Sequence, residues 1–302
     1  MRLVQSVRYR LGRFGYAVRG ATAYSQLLLG EKPESPSVSL VLVGRNDDYM
    51  PDFAERVRIA IEWNLRHLVE EVIFVEWNPP EGRPWLSIDL ARAFPSLRAY
   101  AIPASIHAEI SRNPSLPLME YHAKNVGIRR ARTEWVIAGN ADVAVAPDAI
   151  LAVRRGAIDD GVAYTAERMD IEWREGRTEG VGCWDSMRYK RRIEWTRYGT
   201  GDFLMAPRKA WEAARGYDES LVRHRIGCDR RGAAQMEAHG QRLERLGKIL
   251  HMAHPTSCTE GVRPHHGEEA TIEGVPYRNG ESWGLADCRE VAVAERVWQL
   301  ER

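Results

Sequence analysis

The chain has 302 residues, with 43 lysines and arginines against 42 aspartates and glutamates, so its net charge is +1. This balance gives no overall reason to expect a nucleic acid or another strongly charged partner. Hydrophobic residues make up 44% and charged residues 28% of the chain, which is typical of a globular protein. The length suits one elaborated α/β domain, so we expect function to come from local sites.

Cysteine spacing and hydropathy indicate the compartment. The four cysteines form no Cys-x-x-Cys pair, which excludes a zinc ribbon or a redox dithiol and fits a reducing cytoplasm. No apolar run reaches the ~18 residues that a membrane span needs, and residues 1–30 lack the apolar core of a secretion signal. We therefore expect a cytoplasmic protein that is neither exported nor integral to a membrane.

Residues 1–37 form a separate N-terminal region. Residues 1–30 contain five arginines and no acidic residue, and apolar side chains lie between the arginines. Two roles fit this basic amphipathic segment. One is peripheral contact with an anionic membrane, where each arginine contributes on the order of 1 kcal/mol. The other is packing against its own domain or against a second subunit in a homo-oligomer. Residues 32–37 are typical of a linker.

Strand and helix patterns alternate after the linker. Residues 38–43 are a continuous apolar run, as expected for a strand buried on both faces. Residues 53–68 have helical spacing and residues 72–75 form a second strand. A helix over residues 85–94 and a strand over residues 97–102 follow. The alternation predicts an α/β fold with an open, mostly parallel twisted sheet flanked by helices.

Polar residues follow the first two predicted strands. Gly44, Arg45, Asn46 and Asp47 come after the first strand, and Glu76 comes after the second. In open α/β sheets, ligands bind in the crevice beyond the carboxyl ends of the strands. We therefore expect these side chains to point toward a crevice. The alternative for the first group is that it caps the following helix.

The segment of residues 120–142 contains a predicted helix, a short strand and an acidic turn. The apolar run of residues 134–138 has the length of a strand and is broken by the turn of residues 139–142, so Asp142 lies just past the carboxyl end of a buried strand. Mg²⁺ takes one or two carboxylates together with ligand phosphates, so one aspartate suffices if a diphosphate supplies the rest. Asp142 is thus a candidate metal ligand. The alternative is that Asn140 and Asp142 only form a turn.

Two stretches carry a resemblance to a known family. Residues 123–127 (Ala-Lys-Asn-Val-Gly), the strand and the Asn140-Ala141-Asp142 turn resemble the centre of family-2-type glycosyltransferases with the GT-A fold. Asn140 stands where that family usually has the first Asp of its Asp-x-Asp metal motif. Residues 200–211 and the Gly-Tyr-Asp-Glu turn at residues 216–219 resemble a later strand and helix of the same family. The resemblance covers about residues 38–255.

The resemblance implies a nucleoside diphosphate sugar as the donor. The residues that it places at the nucleotide are Gly44, Arg45, Asn46, Asp47, Glu76, Lys124 and Asn140. It places Gly201 and Asp202 at the donor sugar. Trp184 belongs to a tryptophan-rich stretch of residues 167–198, which we expect to bind the sugar or the acceptor because aromatic rings stack on sugar faces.

The resemblance also implies a metal site and a catalytic base. Asp142 and a late histidine would hold Mn²⁺ or Mg²⁺, and His254 matches the position of that histidine better than His251. Imidazole ligands favour Mn²⁺ somewhat over Mg²⁺. Asp229 precedes a helix predicted over residues 233–240, at the place of the catalytic base in inverting members. The alternative is that Asp229 caps this helix. Cys228 stands where many relatives have Glu.

We therefore expect metal-dependent, inverting sugar transfer to an acceptor that the sequence does not name, with no nucleic acid as partner. Residues 38–160 would form the nucleotide-binding half. Residues 161–302 would form the donor-sugar and acceptor half, with a tail that ends in a helix up to Leu300. The alternatives are a nucleotidyltransferase and a nucleotide-sugar-binding protein without catalysis. A zinc site built from His251, His254, His265 and His266 lacks the helical His-Glu-x-x-His frame.

Overall fold

The computed structural model describes residues 35–47, 50, 52–171, 189–193, 195–254 and 268–302. Trp184, His265, His266 and residues 1–34, which include the basic segment of residues 1–30, lie outside the described residues, so their predicted roles stay predictions. Among the residues that the structure describes, no helix combines the length and the apolar character that crossing a bilayer requires.

Thirteen strands and seven helices are described. The strands are β1 (Val38–Gly44), β2 (Glu71–Trp77), β3 (Leu97–Ile102), β4 (Trp135–Gly139), β5 (Val143–Val145), β6 (Val162–Ile171), β7 (Tyr189–Ile193), β8 (Phe203–Pro207), β9 (His224–Ile226), β10 (Arg242–Met252), β11 (Glu268–Glu269), β12 (Arg289–Ala294) and β13 (Val297–Glu301). The helices are α1 (Phe53–His67), α2 (Leu86–Ala93), α3 (Ala104–Ile110), α4 (Glu120–Arg130), α5 (Pro147–Arg154), α6 (Arg208–Ala214) and α7 (Cys228–Ala238).

One large sheet organises the described residues. Its strand order is β12-β13-β3-β2-β1-β4-β8-β6-β10-β5, and β7 pairs with β6 beside this path. The neighbours β3, β2, β1 and β4 are parallel, as their largely apolar and mostly buried sequences predict. Beyond β4 the pairing becomes mixed, because β8 runs antiparallel to both β4 and β6. The predicted open α/β sheet flanked by helices is confirmed.

Helices cover both faces of the sheet. Val57 and Ile61 of α1 and Ile150 of α5 belong to one apolar cluster, and Val126 of α4 and Trp211 of α6 belong to the other. Each such side chain, when fully buried, stabilises the fold by about 1.5–3 kcal/mol. The sheet runs through both predicted halves of the chain, and their division at residue 160 stays a prediction.

Strand register brings two loops to the same edge of the sheet. Gly139 at the end of β4 pairs with Phe203 at the start of antiparallel β8. The backbone N–H of Asn140 then donates to the carbonyl of Asp202 at 3.1 Å. The turn that follows β4 therefore lies against the loop that precedes β8, and the two stretches of the family resemblance meet in space.

The tail departs from the sequence-based expectation. The predicted helix up to Leu300 is wrong, because β12 and β13 form an antiparallel hairpin and β13 pairs in parallel with β3. Val291 and Val293 alternate with alanines in β12, which favours a strand, and Arg296 takes a positive φ of 59° in the turn. Helix α7 also begins at Cys228, earlier than predicted.

Candidate functional site

Asp142 provides the carboxylate around which the candidate site is built. Its Oδ2 lies 3.2 Å from Nε2 of His251 and 3.0 Å from Nε2 of His254. Among the described residues, these three side chains form a cluster whose potential ligand atoms all lie within 4.8 Å of one another. Asp142 and His251 are buried, and the side chain of His254 is 11% exposed. The structure thus brings Asp142 and His254 together and adds His251.

Strand register explains how residues far apart in sequence converge here. β10 runs antiparallel to β5, and this pairing sets His251 opposite Val143, the neighbour of Asp142. β10 also runs parallel to β6, and this pairing sets His251 opposite Asp170. The backbone N–H of Met252 donates to the carbonyl of Asp142 at 3.2 Å. The imidazole of His251 is therefore fixed between two carboxylates.

Asp170 and Arg168 contact His251 on the side away from Asp142. Nδ1 of His251 lies 3.0 Å from Oδ1 of Asp170 and 2.9 Å from Nη2 of Arg168. Arg168 also donates to Asp170 at 2.6 Å and to Asp202 at 2.9 Å. A carboxylate that binds one imidazole nitrogen orients the other nitrogen toward a metal. Asp170 is placed to do this for His251, with Nε2 directed at Asp142.

The charges in this cluster are strongly coupled. Burial alone raises the pKa of Asp142, but the two imidazoles outweigh it and hold this pKa far below the usual range. For His251, burial lowers the pKa and the charge of Asp142 raises it, with a net rise to about 9. Burial also raises the pKa of Asp170, but hydrogen bonds from His251 and Arg168 bring it down to about 2. The cluster therefore favours a positive charge beside Asp142.

The donor set fits a divalent metal ion. Oδ2 of Asp142 is enclosed, and Nε2 of His251 and Nε2 of His254 face it at 3.2 and 3.0 Å. The three potential ligand atoms therefore point at one another, as they would around a shared cation. One carboxylate with two imidazoles suits Mn²⁺ better than Mg²⁺, which prefers oxygen ligands.

A cleft beside the cluster is lined by many of the predicted residues. The predicted residues in its lining are Gly44, Arg45, Asp47, Asn140, Asp142 and His254. Arg45 is held in place because its Nε donates to the carbonyl of Asn78 at 2.6 Å and its Nη1 donates to Asp47 at 2.8 Å. The lining also includes Glu120, Tyr121 and His122 from α4 and Cys228 from α7. The cleft thus joins the ends of β1 and β4 to two helices.

Three residues predicted to bind the nucleotide, Asn46, Glu76 and Lys124, make internal contacts and are absent from the described lining. Nδ2 of Asn46 donates to the carbonyl of Pro84 at 3.1 Å. Glu76 is fully buried, and its two carboxylate oxygens accept the backbone N–H groups of Leu86 and Ser87 at 3.1 and 2.8 Å. A carboxylate at this position satisfies amide groups that the first turn of a helix leaves unpaired. Glu76 therefore stabilises the start of α2, away from the crevice.

Lys124 and Asp202 are buried, and neither belongs to the described lining of the cleft. Lys124 has no exposed surface and donates to Glu120 at 2.8 Å, so its ammonium group is engaged within the fold. Asp202 is 3% exposed, and its carboxylate accepts hydrogen bonds from Arg168 and Thr200 at 2.9 and 2.8 Å. The phosphate contact of Lys124 and the sugar contact of Asp202 that the resemblance implies stay predictions.

Gly201 and Asp229 lie in direct contact. Gly201 has a φ of +83°, and a Cβ atom added there would lie 2.9 Å from Oδ2 of Asp229. Asp229 lies in the first turn of α7, next to Cys228 of the cleft lining, while Gly227 occupies the N-cap position. Burial raises the pKa of Asp229, and the charge of Glu120 raises it further. A raised pKa suits a general base that works near neutral pH.

Sequence reasoning missed the support behind the metal cluster. Arg168 and Asp170 fall at the start of the tryptophan-rich stretch of residues 167–198, yet residues 162–171 form one strand. Met169 and Ile171 continue the apolar character of residues 162–166, and this signal could have placed Arg168 and Asp170 in a strand. Glu120 gave no signal of its own, because only the fold shows that it lines the cleft.

Comparisons with known proteins show similarity in structure. No family model matches the chain. No curated protein matches its sequence. The crystal structure of GalNAc-T7 with UDP, GalNAc and Mn²⁺ aligns with a TM-score of 0.51 and 15% identity, over 76% of this chain and 47% of that one. This chain therefore spans about half the length of that structure.

Two further solved structures align with lower scores. The mannosyltransferase PcManGT from Pyrobaculum calidifontis, in complex with GDP-Man and Mn²⁺, has a TM-score of 0.46 at 15% identity, over 82% of this chain and 67% of that one. S. aureus TarS has a TM-score of 0.43 at 12% identity, over 72% of this chain and 37% of that one. The sheet order and the alignment with GalNAc-T7 together show that the chain has the fold of the GT-A glycosyltransferases.

Proposed function

We propose that the protein is a metal-dependent glycosyltransferase that moves a sugar from a nucleoside diphosphate sugar to an acceptor hydroxyl or amine, with inversion. The observation that carries this proposal is the convergence of Asp142, His251 and His254 beside a cleft at the carboxyl ends of the strands. The aligned GalNAc-T7 structure contains UDP, GalNAc and Mn²⁺, and this supports the same class of ligands here.

The ends of two strands support the placement of the donor. Gly44, Arg45 and Asp47 line the cleft after β1, and Asn140 and Asp142 line it after β4. We assign the nucleoside to the first group and the diphosphate to the second. The ion pair between Arg45 and Asp47 fixes both side chains before the donor arrives, so less conformational entropy is lost on binding.

Asp142, His251 and His254 would hold the metal ion. When bound, the ion neutralises the negative charge that develops on the leaving diphosphate. Asp170 contacts Nδ1 of His251, an arrangement that would orient Nε2 for metal binding. The three side chains would hold the ion together with oxygens of the diphosphate and with water.

Asp229 is the proposed general base. It takes the proton of the acceptor hydroxyl or amine as the acceptor atom forms a bond to the anomeric carbon of the sugar. The bond from that carbon to the diphosphate oxygen breaks, and its electron pair leaves with the nucleoside diphosphate. Attack from the face opposite the leaving group inverts the anomeric centre. The contact of Asp229 with Gly201 and its raised pKa support this role.

The first experiment is a thermal-stability screen of the full chain against UDP, GDP, CMP and dTDP, each with Mn²⁺ or with EDTA. A ligand at a hundred times its dissociation constant adds about 2.7 kcal/mol to the free energy of unfolding. We expect one nucleoside diphosphate to stabilise the protein, and only when Mn²⁺ is present. The corresponding nucleotide sugar should then be hydrolysed slowly. Equal stabilisation in EDTA, or none by any nucleotide, contradicts the proposal.

A further inference from the structure

We infer that Asn140 is a neutral bridge between the buried charges of Lys124 and Asp202, and that it is a positioning residue which does not ligate the metal. Both polar atoms of its side chain are engaged. Nζ of Lys124 donates to Oδ1 of Asn140 at 3.0 Å, and Nδ2 of Asn140 donates to Oδ1 of Asp202 at 2.9 Å. The inference rests on the proposed function for the identity of the metal.

The two neighbours dictate the chemistry of the bridge. An ammonium group only donates hydrogen bonds, and an ionised carboxylate only accepts them. A group placed between Lys124 and Asp202 therefore needs one acceptor atom and one donor atom. The amide of Asn140 has both, whereas an ionised aspartate has no donor to offer Asp202.

The charges around Asn140 are already balanced. Lys124 has no exposed surface and forms an ion pair with Glu120 at 2.8 Å. Asp202 is buried and forms an ion pair with Arg168 at 2.9 Å. A carboxylate at position 140 would add a partly buried negative charge beside Asp202, and the ammonium group that it would face, that of Lys124, is already paired with Glu120, so the change is destabilising.

The bridge also keeps the metal away from position 140. Oδ1 of Asn140, its one side-chain atom able to ligate a cation, faces the ammonium group of Lys124 at 3.0 Å. A second cation at that oxygen would be repelled. Asn140 acts on the metal cluster indirectly, since Asp202 holds Arg168, whose Nη2 lies 2.9 Å from Nδ1 of His251. The chain thus departs from a two-carboxylate motif because this network requires an amide.

The first test measures Mn²⁺ binding to the full chain by calorimetry, with Asn140→Asp, Asn140→Ala and Asp142→Asn. We expect Asn140→Asp to bind Mn²⁺ no more tightly than wild type, and Asn140→Ala to stay within about tenfold of it. Asp142→Asn should lose binding. Tighter binding by ~10-fold in Asn140→Asp, or a loss in Asn140→Ala equal to that in Asp142→Asn, would make position 140 a ligand and overturn the inference.

The second test needs no metal and uses charge rescue. Asn140→Asp should lower the melting temperature by at least about 4 °C. Adding Glu120→Gln should recover about half of that loss or more, because Lys124 is then free to pair with the new carboxylate. In the matched pair, Glu120→Gln should give no recovery in the Asn140→Ala background. Equal effects of Glu120→Gln in both backgrounds would overturn the bridge.

The two tests distinguish a failure of the proposed function from a failure of the Asn140 bridge. A wild-type protein that binds no Mn²⁺ contradicts the metal-dependent function, whereas the charge-rescue result still decides whether Asn140 bridges Lys124 and Asp202. A protein that binds Mn²⁺ normally but shows no specific rescue keeps the proposed function and loses the bridge.

Discussion

The carboxylate of Asp229 occupies the space that a side chain at residue 201 would need. A Cβ atom at Gly201 would lie 2.9 Å from Oδ2 and 3.0 Å from Cβ of Asp229. The absence of a side chain at residue 201 is therefore what allows Asp229 to sit against the loop before β8. The position of the proposed base depends on a glycine in another part of the chain.

Replacing Gly201 by alanine should displace Asp229. We expect Gly201→Ala to lower turnover by about tenfold or more, because small displacements of a catalytic group are costly. The matched control is Gly240→Ala. Gly240 has a similar φ of +90°, but a Cβ atom there would meet nothing within 4 Å. Both variants carry backbone strain of order 1–3 kcal/mol. Equal turnover in the two variants would show that the contact has no catalytic role.

Asp229→Asn should abolish proton removal while keeping the size of the side chain. We expect turnover to fall by ~10² or more with little change in donor affinity. Since burial raises the pKa of Asp229, the wild-type rate should rise with pH through a point above the ordinary range of an aspartate. Glu120→Gln serves as the comparison, because Glu120 lines the cleft. If Glu120→Gln loses turnover and Asp229→Asn does not, Glu120 is the base.

The cluster around Asp142 predicts a graded loss of metal binding. Asp142→Asn should abolish stabilisation by nucleoside diphosphate with Mn²⁺. Asp170→Asn should weaken Mn²⁺ binding by about 10–100-fold, because His251 loses the partner that orients it. Asp159→Asn is the control, since Asp159 forms a surface ion pair with Arg242. Thermal shifts against Mn²⁺ concentration measure all three, and unchanged affinity in Asp170→Asn would exclude the orienting role.

His122 should make the protein less stable in acid. Burial lowers its pKa from 6.5 to about 4, although the hydrogen bond to the carbonyl of Glu219 opposes this. Below pH 6.5 the unfolded state takes up a proton that the folded state does not bind until about pH 4. The contribution of neutral His122 is therefore present above pH 6.5 and is lost as the pH falls, by at most about 1.4 kcal/mol per pH unit.

The measurement is urea unfolding of wild type and His122→Asn at several values between pH 4 and pH 7. The free energy of unfolding should fall less steeply with acid in the variant. Buried His67 also has a pKa lowered to about 4 and is unchanged in both proteins, so it does not affect the difference. Parallel pH dependence in the two proteins would contradict the assignment.

The basic N-terminal segment gives a prediction that rests on sequence alone. Deleting residues 1–30 should leave activity intact and weaken sedimentation with anionic liposomes, since five arginines are removed. Comparing sedimentation at low and high salt shows how much of the liposome binding is electrostatic. A deletion that unfolds the protein or dissociates an oligomer would favour the packing role.

The central fold and part of the site could be predicted because their signals are local. Residues 38–44 and 135–139 are apolar enough to indicate buried strands, and Asp142 lies in the turn that directly follows the second strand. The partnership of His251 with Asp170 is not local, because it depends on the register of β10 against β6. No pattern within either strand encodes that register.

Glu76 shows a different limit of sequence reasoning. A polar residue at the end of a strand satisfies the same pattern whether it faces a ligand or an adjacent helix. Glu76 accepts amide hydrogen bonds from the start of α2, about ten residues later in the chain. The C-terminal helix was wrongly predicted for a related reason, because the strand β13 pairs with β3, which is distant in sequence.

The pairing of β13 with β3 bears on how the chain folds during synthesis. Val297 lies beside Ala99, so β3 remains an open sheet edge until nearly two hundred further residues have been made. Apolar strand edges of this kind pair readily with other chains. We therefore expect nascent chains that lack residues 289–301 to aggregate or to bind chaperones, and shortening the chain before β12 should reduce the soluble yield.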